Sequence, residues 1–225
     1  MKDKTLVHKF FELDRKDRKM YVLQVNTIKT LIVAIIKLIF GIVYSSIWFI
    51  MNAGFYGILS ISRYRSIRDY KRVKKEKSKE KKNIIEYTNY LYNGWLLILL
   101  GIAYLIINIF MFISGSTNNN LEGYLVYLVA LLSFSSMVTA IIGLIRYRRK
   151  HNTIISAVCQ CNIAKALTSL VLTQVVILDE FCEKSVRITK IDATTGMIVG
   201  IIIIGLGARM VIKIMIENQK ENKSS

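Results

Sequence analysis

Lys165 stands near the middle of an apolar stretch running from about Thr153 to Leu178, and its charge has to be answered there. It lies 12 residues in from Thr153 and 13 back from Leu178. At about 1.5 Å per helical residue that is close to the midplane of a segment long enough to cross a bilayer. A lysine at the bilayer centre costs about 2.5–3.5 kcal/mol on insertion scales, less where the side chain snorkels. At helical spacing Asn162, Lys165, Ser169 and Thr173 form one polar stripe, flanked by Thr168 and Gln174. This stripe is the candidate intramembrane polar site. Three chemistries are open to it. The ammonium can be solvated by neutral side chains and carbonyls, it can reach down the helix toward headgroups, or it can face a cavity that binds an anion. A buried lysine–carboxylate pair within the chain is not offered, because no Asp or Glu falls inside the four longest apolar spans. Glu122 and Asp192 sit only at span ends.

Other chemistries lack their residues. His8 and His151 both lie outside the apolar spans, so a proton relay of the kind built from intramembrane Asp, Glu or His has no members. Cys159, Cys161 and Cys182 make an odd set without paired spacing. The first two are two apart and point to different helix faces, so they read as small buried side chains. There is no phosphate-binding glycine loop, no zinc-protease motif and no nucleophile elbow. The expectation is no catalytic residue, no cofactor and no metal.

The elements that must position the stripe follow from the hydropathy blocks. The chain has 225 residues, 53% of them hydrophobic and 21% charged, with the charges gathered between long apolar runs. Runs of about 20 apolar residues match a hydrocarbon core of roughly 30 Å and, in lipid, must be helical to satisfy their own backbone. Four spans are read at about Leu91–Ile113, Leu121–Ile145, Thr153–Leu178 and Ala193–Ile216. Between them lie the uncharged turn Ser114–Asn120, the basic turn Arg146–His151 and the mixed loop Asp179–Asp192. Residues 21–62 are largely apolar and allow two arrangements. One is a single span (about Leu38–Ser62) after an interfacial helix; the other is a hairpin of two short membrane helices turning near Gly41–Ser46. The chain contains no proline, so any bend must come from Gly, Ser, Thr or an inserted side chain.

Charge orients these spans. Arg63–Lys82 carries 11 Lys/Arg against 3 acids, Arg146–Lys150 carries 4 basic residues and the tail from Arg209 carries 4. The intervening links are uncharged or mixed. By the positive-inside rule the basic loops and the C-terminus face the cytoplasm. The first 20 residues hold 7 Lys/Arg, which places them inside too and favours the hairpin. The expectation is an all-α, polytopic integral membrane bundle of five to six segments in the cell membrane. Its parts are a cytoplasmic segment 1–20, a membrane hairpin or single span with interfacial helix 21–62, a basic cytoplasmic linker 63–90, a four-helix transmembrane bundle 91–217 and a cytoplasmic tail 218–225. The first 20 residues have no apolar core or small-residue cleavage site and do not read as a signal peptide.

The net charge of +17 invites a nucleic-acid partner, but the excess falls where topology demands it and no nucleic-acid motif accompanies it. The expected partners of Arg63 to Lys82 are the bilayer and its anionic headgroups, where each Lys or Arg gains about 1 kcal/mol. A protein partner or a homo-oligomer remains open. Packing signals are plain. Gly196 and Gly200 form a GxxxG in an apolar helix, and Ser136 and Ala140 form a small-xxx-small pair with Gly143 following. Small residues let helix backbones approach closely in lipid. Packing within the bundle is the simpler use, homodimerisation the sharper one.

The stretches NGWLLILLGIAYLI (93–106), RYRRKHNTIISA (146–157), LTSLVLTQVVIL (167–178) and TGMIVGIIIIGLGARMVI (195–212) resemble parts of uncharacterised small polytopic membrane proteins of low-GC Gram-positive bacteria. The resemblance implies the span pattern and no activity. Two functional expectations follow from the residues. The first is a non-enzymatic accessory, regulatory or scaffold membrane module acting through helix packing and the basic linker. The alternative is a small permease or channel using the polar face around Lys165.

Overall fold

The computed structural model describes residues 15–114, 124–147, 153–181 and 186–224. The first 14 residues, Glu122, Cys182, nearly all of the polar turn after Ser114 and most of the basic turn before Thr153 lie outside the described residues. Within them the chain is helical and forms no strand. Six helices follow in order: α1 (Arg15–Val43), α2 (Ile47–Lys75), α3 (Lys79–Ser114), α4 (Tyr124–Tyr147), α5 (Thr153–Phe181) and α6 (Val186–Ser224). Without proline these runs give the backbone no breaker, and α2, α3 and α6 extend well into polar sequence.

Four helices are long and apolar enough to cross a membrane: α1 over Tyr21–Val43, α3, α5 over Thr153–Leu178, and α6 over Arg187–Glu217. The set differs from the four spans read from sequence. Among the described residues it gains α1, while α4 shows the shorter apolar stretch Ala130–Ile142.

Neighbouring helices alternate in direction. On α1 and α2, Thr30 meets Arg63 and Gly41 meets Ile50. On α2 and α3, Ser62 meets Asn93 and Asp69 meets Asn89. On α3 and α6, Gly94 meets Gly207 and Gly101 meets Gly200. Helix α5 touches α2, α3, α4 and α6 and is the most enclosed of these four candidate spans: 56% of its most apolar window is buried, against 22% for α1. Both faces of α5 therefore meet protein, and its polar stripe points inward.

Residues 21–62 fall on two helices that meet at a tight turn, and of the two α1 is long and apolar enough to cross a membrane. Helix α1 ends in a Schellman cap: Ser46 N–H donates to the Gly41 carbonyl (3.0 Å) and Ser45 N–H to that of Ile42 (3.3 Å). Ser45 takes the left-handed φ of 49° that this cap requires. Ser46 then opens α2, its carbonyl accepting from Ile50 N–H. A side chain at Gly41 would strike Ile50, with its Cβ only 2.9 Å from that backbone nitrogen. The glycine lets the two helices close directly beneath the turn.

The stretch expected as a basic linker, 63–90, falls on the second half of α2 and the start of α3. Helix α2 runs through Ser62–Arg63 without a break and continues to Lys75. A short turn at Glu76–Ser78 follows, and α3 begins at Lys79. Arg63, Ser66, Ile67, Asp69 and Tyr70 are buried, whereas Tyr64, Arg68, Lys71 and Arg72 face outward. An i, i+3/i+4, i+7 pattern of buried residues extends the apolar face of α2 past the point where mean polarity turns basic. Charge density marked a boundary that periodicity does not respect. In the turn, the backbone N–H groups of Ser78 and Lys77 donate to the Glu76 carboxylate and hold its carboxyl below the usual range.

The GxxxG of α6 is covered by α3. A Cβ on Gly200 would lie 3.2 Å from Leu105 Cβ, and Gly196 abuts the Asn108 side chain. Gly94, Gly101 and Asn108 recur every seventh residue on α3, and Gly200 and Gly207 do the same on α6. Two stripes of that period keep facing each other along antiparallel helices and bring backbone against backbone.

Candidate functional site

Three pairs of polar residues, each seven apart, converge between α1, α2 and α5: Thr30 and Lys37, Tyr56 and Arg63, Asn162 and Ser169. Seven helical residues are two turns, about 10.5 Å, so the pairs form two layers across the bundle. In one layer Arg63 donates from Nη1 to Thr30 Oγ1 (3.1 Å) and from Nη2 to Asn162 Oδ1. In the other the Tyr56 hydroxyl is hydrogen-bonded to Ser169 Oγ, and Lys37 Nζ sits 4.1 Å from the Tyr56 ring centroid.

Lys165 bridges the layers. Its Nζ donates to Thr30 Oγ1 (3.1 Å) and lies 5.0 Å from the same Tyr56 ring. Thr30 Oγ1 itself donates to the Asn26 carbonyl (2.8 Å). One hydroxyl thus gives its single proton and accepts twice, which is its full capacity.

Lys37, Arg63 and Lys165 are 2%, 3% and 5% exposed. Among the described residues no carboxylate forms an ion pair with Lys37 or Lys165, and Lys37 Nζ has no hydrogen-bond partner. Asp69 is buried on the α2–α3 side. There it accepts from Asn89 Nδ2 (2.8 Å), with Arg65 at 3.8 Å and Arg72 at 4.0 Å. Asn89, Ser66 and Asn93 extend that contact into a hydrogen-bonded ladder. It joins α2 to α3 and answers its own polar groups.

Beside the cations lies a cavity of about 20 Å³, bounded by Asn26, Thr30, Arg63, Thr139, Ala140 and Lys165 among others. That is room for on the order of one water-sized particle. Apolar residues close both ends of the polar layers. Leu23, Ile67, Tyr70, Ile154 and Val158 cluster on one side, and Phe40 packs on Phe49 beside Trp48 and Ala34 on the other. A larger open groove, about 580 Å³, runs along α6 past Arg187, Lys190 and Thr194. It is relief on one helix and brings no buried charge together.

The structure brings together Asn162, Lys165 and Ser169 of the sequence-read stripe and leaves Thr173 out. Thr173 Oγ1 donates to the Ser169 carbonyl of its own helix (2.9 Å), and Gln174 turns to Asp192 and Thr195 near the start of α6. Lys165 does not reach for the surface. Lys37, Arg63, Tyr56 and Thr30 are the members that sequence reasoning missed. The available signal was the shared seven-residue spacing on three helices. Asn162, Lys165 and Ser169 make these contacts with neutral and cationic groups, so the cluster gathers three basic side chains against neutral acceptors.

No protein-family model matches this chain, and no curated protein matches it.

Proposed function

We propose that this is a multi-pass membrane protein of six segments, with its basic end in the cytoplasm, and that it works as a small permease or channel for an anion. The single observation behind this reading is the pair Lys37 and Lys165, both buried and neither facing a carboxylate among the described residues. A module that only packs has no use for such residues. Buried charges replaced by well-packed apolar groups generally leave a protein as stable or more so. Retained intramembrane cations mark a site by default. The first half of α2 and the apolar part of α4 complete the count to six, each shielded from lipid on one side by its neighbours. With apolar closures on either side, the conformation described corresponds to an occluded state of such a carrier.

The test is anion flux into vesicles containing the purified full-length protein. Wild type is expected to pass anions, and Lys165→Met to lose most of that flux while eluting as a folded species. Absence of anion flux from wild type would refute the permease reading. A second reading keeps the protein as an accessory module. It draws on the exposed basic face of α2, Arg68, Lys71 and Arg72, which fits anionic headgroups or an acidic partner. That reading predicts a stoichiometric second polypeptide in native-lipid preparations and wild-type behaviour for Lys165→Met.

A further inference from the structure

We infer that the chamber binds one monovalent anion of about the size of water, a halide by chemical class, and that it rejects polyatomic oxyanions. The inference rests on the anion-permease reading above and adds what that reading leaves open, the identity of the occupant.

Size comes first. The cavity of about 20 Å³ accepts on the order of one water-sized particle. Phosphate and sulfate, with four oxygens around a central atom, do not fit without moving helices. A single spherical ion does, once it has shed its hydration shell. What replaces that shell is on the cavity wall: the guanidinium of Arg63 and the ammonium of Lys165 provide charged donors. Charge-assisted donors of this kind hold anions more strongly than neutral ones.

Two of the oxygens at the cavity are already engaged by the cations: Thr30 Oγ1 takes protons from both Arg63 and Lys165, and Asn162 Oδ1 takes one from Arg63. A cation would meet two like charges there. Leu23 and Ala140 supply the apolar part of the wall. Such a wall favours ions that dehydrate readily, chloride and bromide ahead of fluoride. The cavity lies between α1 and α4 as well as against α2 and α5, because α1 packs along α2 and α4 along α5. Ala140, 4% exposed, is the point where α4 leaves space for the ion.

The experiment uses the full-length protein in detergent with gluconate as background anion. Chloride, bromide, sulfate and phosphate are added at matched ionic strength, and thermal unfolding is read for each. Chloride and bromide are expected to raise the melting temperature saturably, with at least tenfold higher apparent affinity than sulfate or phosphate. Ala140→Leu keeps every charge but fills the cavity, and is expected to lose the halide response with its helical circular dichroism intact. Should that variant not fold, chloride-35 NMR line broadening on wild type gives the same reading. Broadening should be saturable, displaced by bromide and absent from Lys165→Met. Stabilisation by sulfate or phosphate as strong as by chloride overturns the inference, as does the absence of any anion response. The two proposals fail separately. Flux of oxyanions without halide preference overturns this inference and leaves the permease. Selective halide binding without flux of any anion overturns the permease and leaves the site.

Discussion

Replacing Lys165 by methionine should make the anion-free protein more stable. Arg63 and Lys165 both donate to Thr30 Oγ1 at 3.1 Å, so the two cationic groups are at most about 6 Å apart. At an effective dielectric of about 20, like charges at that distance repel by roughly 3 kcal/mol. Withdrawing the ammonium from water costs several kcal/mol more. Against this stand two favourable contacts. The charged hydrogen bond to Thr30 is worth about 1.5–3 kcal/mol, and the ammonium–ring contact with Tyr56 adds about 0.5–2 kcal/mol. Neither loss orphans its partner: Thr30 keeps Arg63 and its own bond to the Asn26 carbonyl, and Lys37 remains 4.1 Å from the Tyr56 ring. Methionine has a similar length and fills the space without charge. The net expectation is a gain of about 1–3 kcal/mol, a rise in melting temperature of about 3–10 °C for a chain of this size. The assay is thermal unfolding in detergent with gluconate as the only anion. The gap should shrink as chloride is added, since a ligand at 100 times its Kd stabilises wild type by about 2.7 kcal/mol. A melting temperature several degrees below wild type in gluconate would show that Lys165 is a net structural contact and would refute the electrostatic argument.

The α3–α6 seam separates two glycines two residues apart. A Cβ at Gly207 would lie 2.7 Å from the Gly94 carbonyl oxygen and 2.9 Å from the Ile98 nitrogen, whereas one at Gly205 meets nothing within 4 Å. Gly207→Ala should therefore cost about 1–3 kcal/mol by overpacking, and Gly205→Ala should be neutral or gain up to about 1 kcal/mol of helix propensity; equal melting temperatures would contradict the seam. At the α1–α2 turn, Ser45 holds a left-handed φ of 49° that costs a side-chain-bearing residue about 1–2 kcal/mol. Ser45→Gly is expected to stabilise by up to about 1 kcal/mol in the same unfolding assay, and a loss of stability would show that the serine side chain has a role the cap does not require.

Helices were legible because hydropathy blocks report them directly: α3, α5 and α6 contain the spans at Leu91–Ile113, Thr153–Leu178 and Ala193–Ile216. Lys165 was legible as a site residue because a charge within an apolar block is a contradiction visible in one dimension. Arg63 was not. It stands at the head of a basic run, and average charge placed it in water, while its burial follows from the seven-residue spacing back to Tyr56. Lys37 was obscured in a related way, because Lys29 one turn-pair earlier suggests a common exposed face. The partner of each cation lies on another helix, and separations such as that between Thr30 and Lys165 are not encoded in any local pattern. The glycine seam shows the converse. A GxxxG says that some backbone comes close, and the period-seven glycines of α3 say which.

The way the bundle is held together constrains how the chamber can open. Helices α3 and α6 meet with backbone against backbone at Gly94, Gly101, Gly200 and Gly207, and such a contact has no side chains whose rotamers can absorb a sliding motion. Helix α3 is further tied to α2 by the ladder from Asp69 through Asn89 to Asn93. Helix α1 has the least buried apolar window of the spans, and α4 packs on α5 alone among its extensive contacts. Both of these helices border the cavity, through Asn26 and Thr30 on one side and Thr139 and Ala140 on the other. The cationic pair therefore stands where α1, α2, α4 and α5 meet, and Thr30, the hydroxyl that both Arg63 and Lys165 share, belongs to α1. Displacing α1 would break that shared contact and return two like charges to each other unless an anion had already come between them. On the permease reading, occupancy of the cavity and freedom of α1 to move are then one equilibrium, and the ion supplies the free energy for the motion that releases it.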